Sequence, residues 1–227
     1  MPVPRRKFHE ELDGLETEIV TESDLAERAV GKAIGALAQR DDRLAGEVIS
    51  EDDPIDDRYF DIERRVLDLL ATQTPVATDL RLVSAMLHIN FHLERVGDMA
   101  VNIAKIAIAT RSLPANETIV SHLREMSDLA RSMLRTATAA FVRRDLGLAM
   151  ALPEMDDPVD RLNRGMYREV VALGDDPKAL EWGIHMNVVA RQLERVADHA
   201  VDIGEQVAFL LTGEFKEFTD ASHPVAL

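Results

Sequence analysis

Apolar residues recur at helical spacing along most of the chain. Between residues 10 and 39, Ala26, Ala29, Val30, Ala33, Ile34 and Leu37 form one stripe, which predicts a long amphipathic helix. A second helix is expected over residues 41–71, with Ile55, Tyr59, Ile62, Val66 and Leu69 on its buried face. A third opens at "TPVATDL", where Thr74 is placed to cap and Pro75 to take the first helical position, and it continues to about residue 111, before Pro114. The series then repeats. Asn116 caps a helix reaching about residue 143, Asp145 caps the next, and Asp176–Pro177 opens a sixth that ends near Gly213. No segment alternates convincingly with the period of a strand. Pro54 and Pro158 interrupt the second and fifth helices, where a proline costs about 3 kcal/mol. Asp53 and Asp157 are therefore expected to cap fresh segments there, leaving a kink or break.

The wording repeats along with the pattern. "LERVGDMAVNIA" (93–104) and "LERVADHAVDIG" (193–204) agree at 8 of 12 positions, 100 residues apart. "SDLA" at 23–26 returns at 127–130, and "DDP" at 52–54 returns at 156–158, both at an offset of 104. Arg40, Asp41, Leu44, Ala45 and Asp56 recur at 104 as Arg144, Asp145, Leu148, Ala149 and Asp160. Three blocks in one order mark an internal duplication with a boundary near residues 113–117. The expected fold is all-α: two tandem three-helix bundles related by a pseudo-twofold. The first spans 8–113, the second 115–213, and a tail covers 214–227.

Composition sharpens this reading. Hydrophobic residues make up 46% of the 227 positions and aromatics 4%, a balance suited to helices packed through Ala, Leu, Val, Ile and Met. The chain has no cysteine, which excludes disulfides, thiolate metal sites and a thiol nucleophile. A net charge of −15 argues against nucleic acid or an anionic membrane surface as partner, and favours cations. No apolar run approaches the ~20 residues of a membrane span. The basic start "MPVPRRKFHEELDG" has no apolar stretch behind it, so no secretory signal is expected and the compartment expected is the cytoplasm.

Candidate chemistry lies in the repeated phrase. On a helix turning about 100° per residue, Glu94, Asp98 and Asn102 lie at about 0°, 40° and 80°, with Val101 about 20° from Glu94. The carboxylates thus border the apolar face. Glu194, Asp198 and Asp202 repeat the arrangement beside Val201 and Ala197. Asp52, Asp56 and Asp57 on the preceding helix offer a second acidic set, as do Asp156 and Asp160 in the other copy. Carboxylates so placed repel and resist desolvation, and two answers are open. Hard or borderline cations such as Mg, Mn, Fe or Zn accept converging carboxylates. Salt bridges are the other, since Arg95, Arg195, Arg58 and Arg161 stand beside the acidic blocks.

Other motifs carry less. His88 and His92 share a metal-ligand spacing but lie about 120° and 160° from Glu94, and their second-copy counterparts are Val188 and Gln192, so they read as partly buried or surface residues. No histidine has a Glu three residues before it, as a ferritin-like di-iron bundle requires. No nucleophile elbow or Gly-rich phosphate loop is present. Gly31 and Gly35, on one face of the first helix, suit a close helix contact or dimerisation, with simple packing the plainer reading.

The duplicated "DDPID", "ATQTPVATDLRLVSAM" and "LERVGDMAVNIAK", followed by "DDPVD" and "LERVADHAVDIGE", resemble the PhoU family of accessory and regulatory proteins of bacterial phosphate-specific transport. The likeness covers roughly residues 8–213. It implies two three-helix bundles, assembly as a homodimer, and an acidic motif in each repeat that holds metal clusters. In this chain that motif falls on Asp52, Asp56, Glu94 and Asp98, and on Asp156, Asp160, Glu194 and Asp198, with Asn102 and Asp202 extending each stripe by a turn. The resemblance also implies restraint of phosphate uptake through the phosphate ABC transporter and its sensor histidine kinase, membrane contact only through those partners, and no enzymatic activity. From the residues alone, two alternatives stand: a metal-dependent phosphohydrolase or oxidase using the carboxylates, and a purely structural scaffold.

Overall fold

The computed structural model describes residues 3–218. Eight helical segments build six arms. The first bundle comprises α1 (Val3–Gln39), the broken arm α2 (Asp42–Ser50) and α3 (Asp53–Gln73), and α4 (Ala77–Thr110). The second comprises α5 (Glu117–Arg143), the broken arm α6 (Leu146–Met150) and α7 (Leu152–Val171), and α8 (Pro177–Thr212). The all-α reading and the pair of three-helix bundles hold. Among the described residues, no helix is long and apolar enough to cross a membrane.

The duplication is visible in the backbone. Arg40 and Arg144, 104 residues apart, end α1 and α5 in the left-handed region, at φ 55° and 53°. Asp41 and Asp145 then cap the next helix by accepting from the backbone N–H of Leu44 and Leu148. Asn116 and Asp176 cap α5 and α8 as expected, and Gly213 closes α8 at φ 77°.

The bundles join back to back. Between α1 and α5, Glu16 pairs at 2.6 Å with Arg144, the residue that caps the end of α5, and Glu27 pairs with Arg131 at 3.0 Å, so the helices run antiparallel. On α4 and α8, Arg81 Nε donates to the Leu210 carbonyl at 3.1 Å and His92 meets His199. Both pairs of numbers sum to 291, which fixes an antiparallel register. Inside lie the predicted stripe (Ala26, Val30, Ala33, Ile34) together with Ile62, Val66, Leu93, Val96, Leu193 and Val196. A continuous apolar core of this kind is the main source of stability for a bundle of long helices.

Several local expectations change. Thr74 and Pro75 do not start α4: Thr74 ends α3 at φ 47°, Val76 is extended, and the helix begins at Ala77. The first break falls at Glu51–Asp52, with Asp52 rather than Asp53 in the capping position and Pro54 in the first turn of α3. In the second copy the break comes earlier, at Ala151, because Pro153 occupies the first turn of α7, where its missing N–H costs nothing. Pro158 then lies inside α7, and Asp157 caps nothing. Gly31 makes room for the Arg131 guanidinium, whose Cζ would stand 2.8 Å from an added Cβ, so it serves packing between α1 and α5. Arg81 of the "DLR" stretch ties α4 to the end of α8. Of the expected tail, residues 219–227 lie outside the described residues.

Candidate metal centre

In the first bundle α3 begins against α4 at Gly97. A Cβ there would lie 3.4 Å from Asp52 Oδ1 and 3.2 Å from Ile55 Cδ1. This close approach sets Asp52 and Asp56 beside the stripe of α4. Burial pushes the Asp52 carboxyl up to about 6, and Asp56 and Asp98 add to the push. Asp56 is raised by burial and by Asp98. Glu94 is raised by burial, then Asp98, with Asp56 and Asp52 contributing and Arg95 opposing. Asp52, Asp56, Glu94 and Asp98 therefore form one electrostatic group. Asn102 stands one turn further along α4, exposed.

Glu22 on α1 adds a carboxylate that sequence reasoning missed. It is fully buried, and neither of its oxygens accepts a hydrogen bond. Burial lifts it to about 9, against the pull of Arg58, and Glu94 and Glu18 raise it further. One signal was present: Glu22 sits on the apolar stripe between Ile19 and Ala26, a core position for a charged residue. Its equivalent at the 104 offset is Met126, also fully buried.

The second bundle gathers Asp160, Glu194, Asp198 and Asp202. Burial raises Glu194 to about 7, followed by repulsion from Asp198, with Arg191 opposing and Asp160 adding. Asp198 is raised by burial, and by Asp160 and Asp202 against Arg191. Beside them a cavity of about 240 Å³ is lined by Asp156, Asp198 and Asp202, and by two carboxylates not foreseen, Glu205 and Glu217. The backbone N–H of Phe218 donates to Glu205 Oε1 at 2.6 Å, which folds residues 214–218 over this cavity.

The burial of the histidines is as expected, His92 half-buried and His88 exposed, but His92 has a partner that spacing did not show. His92 is half-buried at the α4–α8 contact, with Nδ1 2.9 Å from His199 Nδ1. Asp202 Oδ2 lies 3.5 Å from each of those nitrogens. Burial holds His92 down to about 4, with His199 and His88 also lowering it and Asp202 opposing. Which histidines meet across two helices depends on their register, and one strand of sequence does not display it.

Arginines answer part of the charge. Arg95 pairs with Asp98 at 3.1 Å, Arg164 with Asp160 at 2.9 Å, and Arg191 with Glu194 Oε1. Arg58 turns away to Glu18 on α1. Glu94 Oε2 and Glu194 Oε2 stay buried without a hydrogen bond; Arg95 Nε passes Glu94 Oε2 at 3.3 Å outside hydrogen-bond geometry. A buried carboxylate oxygen without a hydrogen bond is costly, and oxygen-rich sets of this composition suit hard or borderline cations. The residues therefore fit a metal, and in each set a glutamate oxygen is buried without a hydrogen bond.

The PhoU domain model matches residues 10–107 and 123–207, one repeat each. The chain belongs to the PhoU family. Among its relatives is the phosphate-specific transport system accessory protein PhoU homolog of Caulobacter vibrioides, 34% identical over 92% of this chain and 91% of the relative. The homolog of Aquifex aeolicus is 35% identical over 92% of this chain and 94% of its own length. Two solved structures superpose with a TM-score of 0.84: PhoU from Pseudomonas aeruginosa, 32% identical over 91% of this chain and all of the other, and the phosphate transport system regulatory protein PhoU from Streptococcus pneumoniae, 29% identical over 92% and 99%. Both PhoU repeats of this chain are thus accounted for, and each carries one of the acidic sets.

Proposed function

We propose that this PhoU-family chain is a non-catalytic, metal-binding regulator of phosphate uptake and of the response to phosphate starvation. It works in the cytoplasm, as a homodimer, on the phosphate ABC transporter and its associated sensor histidine kinase. Relatives covering nearly the whole chain are named accessory proteins of phosphate-specific transport, which supports the regulatory half of the reading. The observation that carries the metal half is the pair of buried oxygens, Glu94 Oε2 and Glu194 Oε2, each within a crowd of carboxylates and each without a hydrogen bond.

Asp52, Asp56, Glu94 and Asp98 would hold the first ion or ions, and Asp156, Asp160, Glu194 and Asp198 the second, drawn from Fe, Zn, Mn or Mg. Bound cations supply positive charge to a surface that is otherwise strongly acidic. The chain's own residues supply the rest: a rigid helical frame, two preset acidic sets, and backbone caps that hold the frame in register.

The test is genetic. Deleting the gene should raise phosphate uptake and phosphate-starvation gene expression in phosphate excess. Wild-type protein should restore repression, and a chain carrying Glu94→Ala with Glu194→Ala should restore it poorly at equal abundance. Unchanged uptake and expression in the deletion strain would overturn the regulatory reading.

A further inference from the structure

His92, His199 and Asp202 form a cluster that the two acidic sets do not explain. Two imidazole nitrogens and one carboxylate oxygen, from both α4 and α8, stand at mutual distances of 2.9, 3.5 and 3.5 Å. Ligands of a tetrahedral ion at bonds of about 2.0–2.2 Å are separated by roughly 3.3–3.6 Å. Two of the three observed edges fall within that spacing, and the edge between the rings is about 0.4 Å shorter than its lower end. A plain hydrogen bond between the imidazoles uses one proton and leaves Asp202 outside it: the only hydrogen bond among the three is the one between the rings. The imidazoles are largely enclosed, with 14% and 15% of their side-chain surfaces exposed, while Asp202 is 44% exposed and borders the acidic cavity.

The internal symmetry provides an independent comparison. Under the offset of 100, His92, His199 and Asp202 map onto Gln192, Met99 and Asn102. The α4–α8 register confirms the pairing, since 92 + 199 and 99 + 192 both equal 291. At one end of the pseudo-twofold contact all three residues are good ligands for a borderline metal. At the other end all three are replaced by residues of similar size that are poor ones. The Asn102–Asp202 difference, unexplained by the acidic stripes, falls into place as one of three matched changes.

We propose that His92, His199 and Asp202 form a single transition-metal site clasping the two repeats together, present once per chain, which takes Asp202 from the end of the second acidic stripe and none of the eight carboxylates assigned to the oxygen-only sets. Two imidazoles and one carboxylate select Zn²⁺, Fe²⁺ or Co²⁺ over Mg²⁺ or Ca²⁺, and leave a coordination position toward the cavity. The site joins α4 to α8, so its loading stabilises the contact between bundles. It stands whether or not the oxygen-only sets bind metal.

The experiment is a Co²⁺ titration of chelator-stripped, full-length protein, read by visible absorption and by equilibrium dialysis. Four-coordinate Co²⁺ with imidazole ligands absorbs far more strongly than octahedral Co²⁺ bound through oxygen. The wild type should show an intense visible band saturating at one equivalent, displaced by Zn²⁺ and indifferent to excess Mg²⁺. His92→Gln, His199→Met and Asp202→Asn each install the residue of the opposite repeat, and each should lose the band and one bound equivalent while circular dichroism shows an intact fold. The double variant Glu94→Gln with Glu194→Gln should keep the band, which separates this site from the oxygen-only sets. No intense band in the wild type, or a band that survives in folded His92→Gln and His199→Met, would overturn the proposal.

Discussion

Asp52 rests against α4 at the one point where α4 has no side chain, Gly97: a Cβ there would stand 3.4 Å from Asp52 Oδ1. The glycine thereby determines how closely the start of α3 approaches the stripe of Glu94 and Asp98. On α8, Ala197 stands at the position of Gly97 and the close approach comes two turns later, at Gly204, which faces Leu152 at the start of α7; an added Cβ would lie 2.5 Å from Leu152 Cδ1 and 3.2 Å from the Ala149 carbonyl.

These two glycines should respond differently to alanine. Gly97→Ala meets the flexible tips of Ile55 and Asp52 and gains about 1 kcal/mol of helix propensity, so its stability should stay within about 1 kcal/mol of wild type. Gly204→Ala presses on a backbone carbonyl and should lose about 1–3 kcal/mol despite the same gain. Chemical denaturation of both variants measures the contrast.

Glu22 should make the metal-free protein less stable as pH rises. Its folded pKa, about 9, is above the ordinary 4.5, so the folded state holds a proton that the unfolded chain has released. The stability this contributes is fully present below pH 4.5 and falls by about 1.4 kcal/mol per pH unit between the two values. Glu22→Met, which copies the buried Met126 of the other repeat, should remove that slope. Denaturation of wild type and variant at pH 5, 6.5 and 8 should show curves diverging upward with pH in favour of the variant; parallel curves would contradict the burial of a protonated Glu22.

Metal loading should release protons near neutrality. Asp52 and Glu194, raised to about 6 and 7, are substantially protonated below those values and must ionise to become ligands. Apparent affinity should therefore climb from pH 5 to about 7 and flatten above it. Calorimetry in buffers of different ionisation enthalpy reads the protons released directly.

Arg81 gives a local prediction. Its guanidinium donates to the Leu210 carbonyl, one of the last four of α8, which have no partner within the helix. Arg81→Ala should cost about 1 kcal/mol and speed amide hydrogen exchange over the final turn of α8, with little effect on metal binding.

Much of this was legible in one dimension. Period and caps placed most helix ends to within a few residues, because Asp41, Asn116, Asp145 and Asp176 do locally what their side chains do in any helix start, whereas α1 begins at Val3, seven residues before the stripe predicted. The duplicated phrase told which carboxylates share a helix face. What stayed hidden depended on packing. Pro153, not Pro158, broke the second arm, since a helix tolerates the proline that neighbours can accommodate and ends at the one falling in a first turn. Glu22 stands on the apolar stripe between Ile19 and Ala26, but one helix alone does not show that the position is fully buried. His92 and His199 meet only because α4 and α8 pack antiparallel in one register.

The central claim, that Glu94 and Glu194 anchor metal in the two repeats, is tested most directly by the metal content of protein purified without chelators. Elemental analysis should find transition metal or Mg²⁺ in the wild type, less of it in Glu94→Ala and in Glu194→Ala, and least in the double variant, each folded by circular dichroism. Equal metal content in the wild type and the double variant would contradict the assignment.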